Sequence, residues 1–279
     1  MAKLKNLRTM LLSASLACAG LALTLDPGFA ASQSQSISEN LYKRAADYSK
    51  RKRGLSVLVL KSGRIVFEEY QNGHTRYMGH RLASGTKSFS GVMLAAAIDD
   101  GLVKSFDEKI SDTMTEWKKD PRKERITIRQ LLSLTSGIDA GRIGRPPTYS
   151  EAIEYPVRYS AGERFQYGPA PFQIFGELMR RKLARQNETV MSYLKRKILD
   201  PIDLKVSDWK MQEGQPNLPS GAKLTAREWA KFGRLLINKG VFDGKRIVSK
   251  KALGELVKGS KANPNYGITF WLNRSSNGE

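Results

Sequence analysis

Apolar residues recur at Phe89, Val92, Met93, Ala96 and Ala97, the spacing of a helix that buries one face, and Gly101 offers that helix a stop. Upstream, residues 55–60 and 65–70 are apolar runs on either side of Ser62-Gly63. They predict a β-hairpin that Asn72-Gly73 ends. Ile37, Leu41, Ala45 and Tyr48 share one face of a helix over 37–52. Thr127-Ile128-Arg129-Gln130 reads as a capping box that opens a short helix through Leu134, with Ser136-Gly137 as its end. Glycine and proline make residues 141–147 a loop. Helices are expected over 170–185, 188–199 and 225–239, the last with a capping box at Thr225-Ala226-Arg227-Glu228 and Gly240 as terminator. Residues 267–272 predict a final strand.

Strands near both ends with helices between them suggest an α/β (α+β) fold. One antiparallel sheet would be assembled from the two ends of the chain, flanked by helices, with a helical subdomain inserted. Two strands alone are marginal, and only one candidate strand follows downstream, so the sheet is expected to lack its C-terminal strands.

The first residues place Lys3, Lys5 and Arg8 before an apolar run from Met10 to Leu25, followed by the small-x-small site Gly28-Phe29-Ala30. This pattern predicts an export signal over 1–30, a mature protein beginning near Ala31, and a periplasmic or secreted location. Residues 31–279 would then form one domain, since no repeat or long linker divides them. A membrane anchor is the competing reading, but Thr24 and Asp26 close the run short of a comfortable bilayer span. The single cysteine, Cys18, lies inside that run, so a cleaved product has no thiol. Ser15-Leu16-Ala17 before it is a poor lead-in for lipid attachment.

The net charge is +20, and loss of residues 1–30 removes three basic residues and one aspartate to leave +18. The cations fall in separate clusters, among them Lys50-Arg51-Lys52-Arg53, Arg180-Arg181-Lys182 and Lys195-Arg196-Lys197. Scattered clusters read as solvated faces rather than a nucleic-acid stripe. Attraction to anionic cell-envelope polymers is the better use of such charge in an exported protein.

Candidate chemistry sits at Ser84-Gly85-Thr86-Lys87, where strand-rich sequence gives way to the long apolar helix. Three residues are nearly one helical turn, which brings a hydroxyl nucleophile beside a candidate amine base. The same S-x-x-K spacing recurs at Ser49/Lys52, Ser207/Lys210 and Ser220/Lys223, but only Ser84 opens a core helix. There the helix dipole would favour developing negative charge. The competing reading is that Ser84 only caps the helix. His74 and His80 are the only histidines, both in turn or strand-edge positions, so a histidine-based triad is disfavoured. Two histidines and no mature cysteine are a poor metal set, and no cofactor is implied.

Five ordered segments together resemble the serine β-lactamase and penicillin-binding family, in its class C β-lactamase, D,D-peptidase and esterase branch. They are the stretch from Arg81 through Ser84-Gly85-Thr86-Lys87 to Phe89, the stretch from Ile126 to Gly137, Gly162-Glu163-Arg164-Phe165-Gln166-Tyr167, the stretch from Leu224 to Leu236, and the stretch from Val241 to Ile247. The resemblance implies a monomeric hydrolase acting on an ester or amide, with Ser84 as the acylated nucleophile. Lys87 would be its activating neighbour and Tyr167 a second catalytic group. Either Lys87 or Tyr167 would serve as the general base.

Two departures stand out. The family continues its tyrosine as Tyr-x-Asn, and here the chain reads Tyr167-Gly168-Pro169, which lacks the amide that would bond the lysine. The family's third motif, on a late strand that supplies an oxyanion donor, is also missing, which implies a C-terminally truncated member. Lys61-Ser62-Gly63 has that motif's letters but precedes Ser84 in a hairpin turn. A catalytically weak relative that binds cell-wall peptides or anionic polymers is the alternative.

Overall fold

Ser62 and Gly63 both adopt left-handed backbone angles, φ 49° and 78°, the pair that a tight two-residue hairpin turn requires. The expected hairpin forms around them. Strand β1 (Ser56–Lys61) pairs antiparallel with β2 (Arg64–Tyr70), Ser56 opposite Tyr70 and Lys61 opposite Arg64, with a register shift between Val59 and Leu60. The structure, a computed structural model, describes residues 27–273. The apolar run of the expected export signal lies outside them. Helix α1 (Pro27–Arg51) starts earlier than its apolar face predicts. Gln71 ties it to the hairpin by donating to the Ala46 carbonyl at 2.8 Å.

A short strand, β3 (His80–Arg81), leads into a 3-10 turn over Ala83–Thr86 and then helix α2 (Lys87–Asp99). The predicted apolar stripe is there, but α2 is buried on every side. Leu94 and Ala95 are as inaccessible as Phe89, Val92 and Met93, all at 0% exposure. A helix covered all round is the axis of the molecule, and the residues at its N-terminus take their positions from it.

Helix α3 (Ile128–Leu132) carries the full capping box foreseen at Thr127 and Gln130. Helix α4 (Tyr149–Ile153) is followed by α5 (Ala170–Ala184), and then by α6 (Val190–Leu194), which runs into a π-helical turn over Lys195–Leu199. Strand β4 (Asp208–Trp209), the ribbon of β5 (Met211–Gln212) and β6 (Gln215–Pro216), and β7 (Ala222–Leu224) come next. β7 is the middle strand of a three-stranded antiparallel sheet in the order β3-β7-β4, which pins residues 208–224 against the approach to α2. Helix α7 (Ala226–Ile237) is capped by the Thr225 side chain. Its capping box is only half made, because the Glu228 carboxylate instead accepts from the Lys205 amide at 2.7 Å. The ribbon of β8 (Val241–Phe242) and β9 (Lys245–Arg246) leads to α8 (Lys250–Leu256).

The expected strand over 267–272 does not form. Gly267 N–H donates to the Phe270 carbonyl at 2.9 Å, and Thr269 takes φ 68°, so the chain reverses there and leaves a single bridge between Tyr266 and Trp271. This turn packs on α2 at Gly91, where a Cβ would stand 2.3 Å from Thr269 Oγ1. Among the described residues, one sheet built from both ends is therefore not observed. Among the described residues, β1 pairs only with β2, and its other side borders an apolar groove of about 940 Å3 lined by Leu58, Leu60, Leu82, Trp229 and Leu236. The mixed fold of helices and small antiparallel sheets agrees with the α+β expectation.

Candidate active site

Ser84 sits on the 3-10 turn that precedes α2, and Ala83 before it is held at φ 46°, a left-handed angle that is costly for a residue with a side chain. This strained turn leaves Ser84 exposed while Thr86 and Lys87 point inward and are buried. The cap-only reading of Ser84 fails, since no side-chain cap bond starts either the 3-10 turn or α2. Its Oγ is instead 3.1 Å from Lys87 Nζ.

Lys87 is 4% exposed, and burial pulls its pKa down to about 8, since desolvation penalises the charged amine. Its second polar partner is the backbone carbonyl of Pro219, at 3.0 Å. Aromatic faces close the other sides: the amine lies 5.1 Å from the Tyr167 ring centroid and 5.2 Å from that of Phe172. The three residues singled out in the sequence thus meet around one buried nitrogen, Ser84 by a hydrogen bond and Tyr167 through its ring.

Tyr167 is braced by an aromatic group. Phe165, Tyr266 and Trp271 have their ring centroids 6.4, 6.2 and 5.8 Å from it. The next residue, Gly168, is in contact with Ala140, and Pro169 then caps α5. The proline that replaces the family's asparagine is therefore a helix-start residue, and the Pro219 carbonyl supplies the lysine's hydrogen bond. His74 and His80 lie edge to face, 6.3 Å apart, on the apolar groove beside β1. Ser84, Lys87 and Tyr167 do not line that groove. Depth does not mark this site, because Ser84 is at the surface.

Sequence reasoning missed Pro219, Tyr266 and Trp271. A backbone carbonyl has no residue signature, although Asn217-Leu218-Pro219-Ser220-Gly221 is legible as a turn. Trp271 falls in the segment 267–272 read as a strand and Tyr266 just before it, and a strand running through both would have faced them apart.

The Beta-lactamase family model matches residues 38–270, and the chain belongs to that family. An uncharacterized protein of Alkalihalophilus pseudofirmus is 26% identical over 219 residues, which cover 70% of this chain and 62% of that relative's length. A Bacteroides dorei protein provisionally named a beta-lactamase superposes with a TM-score of 0.73 at 18% identity, over 86% of this chain and 81% of that one. A D-stereospecific amidohydrolase from Streptomyces superposes with a TM-score of 0.56 at 18% identity, over 76% of each chain. At these identities the likeness to solved structures is one of fold.

Proposed function

We propose that this protein is an exported serine hydrolase that forms an acyl-enzyme at Ser84 on an ester or amide. The observation that carries the reading is the 3.1 Å contact between Ser84 Oγ and a buried Lys87 amine whose pKa is drawn to about 8. A lysine so shifted has a substantial neutral fraction near neutral pH, which is what a general base needs. In the acylation step Ser84 Oγ bonds to the substrate's carbonyl carbon and its proton passes to Lys87 Nζ. The bond to the leaving amine or alcohol then breaks, and that group takes up a proton relayed from Lys87 by way of Tyr167. Water completes the cycle by attacking the acyl-Ser84 ester, releasing the acid and restoring the hydroxyl. The names of the Bacteroides dorei and Streptomyces proteins agree with acyl transfer from amides.

Incubation of the folded chain with a fluorophosphonate, followed by intact mass, tests this reading. One adduct on Ser84 that is lost in Ser84→Ala supports it. A folded chain that takes no adduct at any pH favours the second reading, a weak relative that binds cell-wall peptides or anionic polymers, which Pro169 and the basic surface recommend. Export is tested by fractionating cells that express the whole chain and sequencing the mature N-terminus, expected near Ala31.

A further inference from the structure

The carbonyl that holds Lys87 belongs to a turn with a buried scaffold of its own. Asn217 is wholly inaccessible. Its Oδ1 accepts from both the amide and the hydroxyl of Ser220, each at 3.1 Å, and its Nδ2 donates to Gln212 Oε1 at 2.7 Å. Its carbonyl accepts from Gly221 N–H at 2.9 Å and from the Trp209 indole at 3.1 Å. Gln212 Oε1 also accepts from Gln173 Nε2 at 3.2 Å. Gln173, buried on α5, accepts from Leu218 N–H at 3.3 Å and donates to the Pro147 carbonyl at 2.7 Å.

The other side of the same turn docks on the nucleophile. Leu82 N–H donates to the Ala222 carbonyl at 2.9 Å, Ala222 N–H to Thr86 Oγ1 at 3.2 Å, and Lys87 Nζ to the Pro219 carbonyl at 3.0 Å. A backbone carbonyl has no rotamer of its own, so the turn that carries it, and whatever braces that turn, sets its direction. Buried amide networks with their partners satisfied are rigid. This one reaches from the turn to α5, whose first residues follow Tyr167, so it joins the two walls that enclose the lysine.

We propose that Asn217, Gln212 and Gln173 form an amide relay that positions Lys87 against Ser84 by fixing the direction of the Pro219 carbonyl. They are positioning residues, since their hydrogen bonds go to the turn and to the Pro147 loop rather than to Ser84, Lys87 or Tyr167, and the inference rests on Lys87 being the base for Ser84. The groups that face Lys87 are Ser84, Tyr167, Phe172 and Pro219, with the Tyr167 phenol as the other ionisable side chain among them. With the turn loosened, water reaches the amine and its protonated form is relieved.

The test is the rate of Ser84 labelling by a fluorophosphonate between pH 6 and 11, for the full chain, Asn217→Ala and Gln212→Ala. Gln212 is the more exposed of the two, so its variant carries the test if Asn217→Ala does not fold, with thermal unfolding as the check. The unsubstituted chain is expected to gain rate through about pH 8. In the variants the midpoint moves up by about one unit, so labelling at pH 7 slows about tenfold and recovers to within about threefold at pH 10.5. A folded variant with an unmoved midpoint, or with equal loss at every pH, overturns the relay alone. An unsubstituted chain that takes no label at any pH overturns the serine-hydrolase reading and the relay with it.

Discussion

Gly168 lies so close to Ala140 that a Cβ on it would stand 2.2 Å from the Ala140 carbonyl oxygen. That oxygen also accepts from Ala170 N–H at 3.0 Å, so it is not free to move away. Gly168→Ala is therefore expected to displace the peptide next to Tyr167. We expect a loss of about 1–3 kcal/mol in denaturant unfolding, the usual cost of overpacking. Labelling of Ser84 should fall by about tenfold or more, because catalytic geometry is sensitive to small displacements. A destabilised variant that labels at the normal rate would show that Tyr167 does not depend on this contact.

Lys87→Met should separate stability from activity. The buried lysine has a folded pKa of about 8, below its unfolded value of about 10.4. Between those values the unfolded chain binds the extra proton, so unfolding free energy rises with pH across the window and the burial penalty is fully present below it. Methionine removes that penalty and leaves the Pro219 carbonyl without its donor. The variant should be more stable than the unsubstituted chain by about 1–2 kcal/mol at pH 7, with the gain gone near pH 10.5. Ser84 labelling should be lost. Urea titrations at the two pH values measure the difference, and a gain equal at both would disprove the titration origin.

Trp271 is 62% exposed, yet its ring centroid is 5.0 Å from that of Tyr266 and 5.8 Å from that of Tyr167. Trp271→Ala should change stability by less than about 1 kcal/mol, since little of the ring is buried, while it removes one face of the Tyr167 pocket. We expect labelling by a fluorophosphonate to slow about threefold to tenfold. An unchanged rate would make the tryptophan a bystander.

Glu108 offers a contrast away from the chemistry. Its side chain is 1% exposed, pairs with Lys182 at 2.7 Å and accepts from the Lys104 amide at 2.7 Å. Glu108→Ala leaves the half-buried Lys182 ammonium with the Leu102 carbonyl but without its carboxylate, and should cost about 3–5 kcal/mol. The pH profile of Ser84 labelling should not move at temperatures where the variant is folded. A shifted profile would mean that stability and lysine placement are coupled across the core.

The hairpin, the capping box at Thr127 and the start of the central helix were legible because turn chemistry and helical period are local. Ser84 and Lys87 were legible for the same reason, being one turn apart. What sequence could not show is set by long-range packing. The apolar count around α2 gave one stripe, whereas elements distant in sequence cover all its faces. Residues 267–272 are rich in β-branched and aromatic residues like a strand, but Gly91 lets that segment close on α2, and the tight reversal wins. Pro219 took on the hydrogen bond to Lys87 as a main-chain atom, which no residue pattern can announce.

The left-handed turn at Ala83 has one more consequence. A glycine there would relax the backbone and, by the usual reckoning for such angles, make the fold hardier by about 1 kcal/mol. The alanine keeps the loop stiff instead, and with Ser84 as the proposed nucleophile it trades heat tolerance for a hydroxyl that is aimed before any substrate arrives. Selection for survival at high temperature alone should find this position early, and what it gains in endurance it should lose in the sharpness of the reaction.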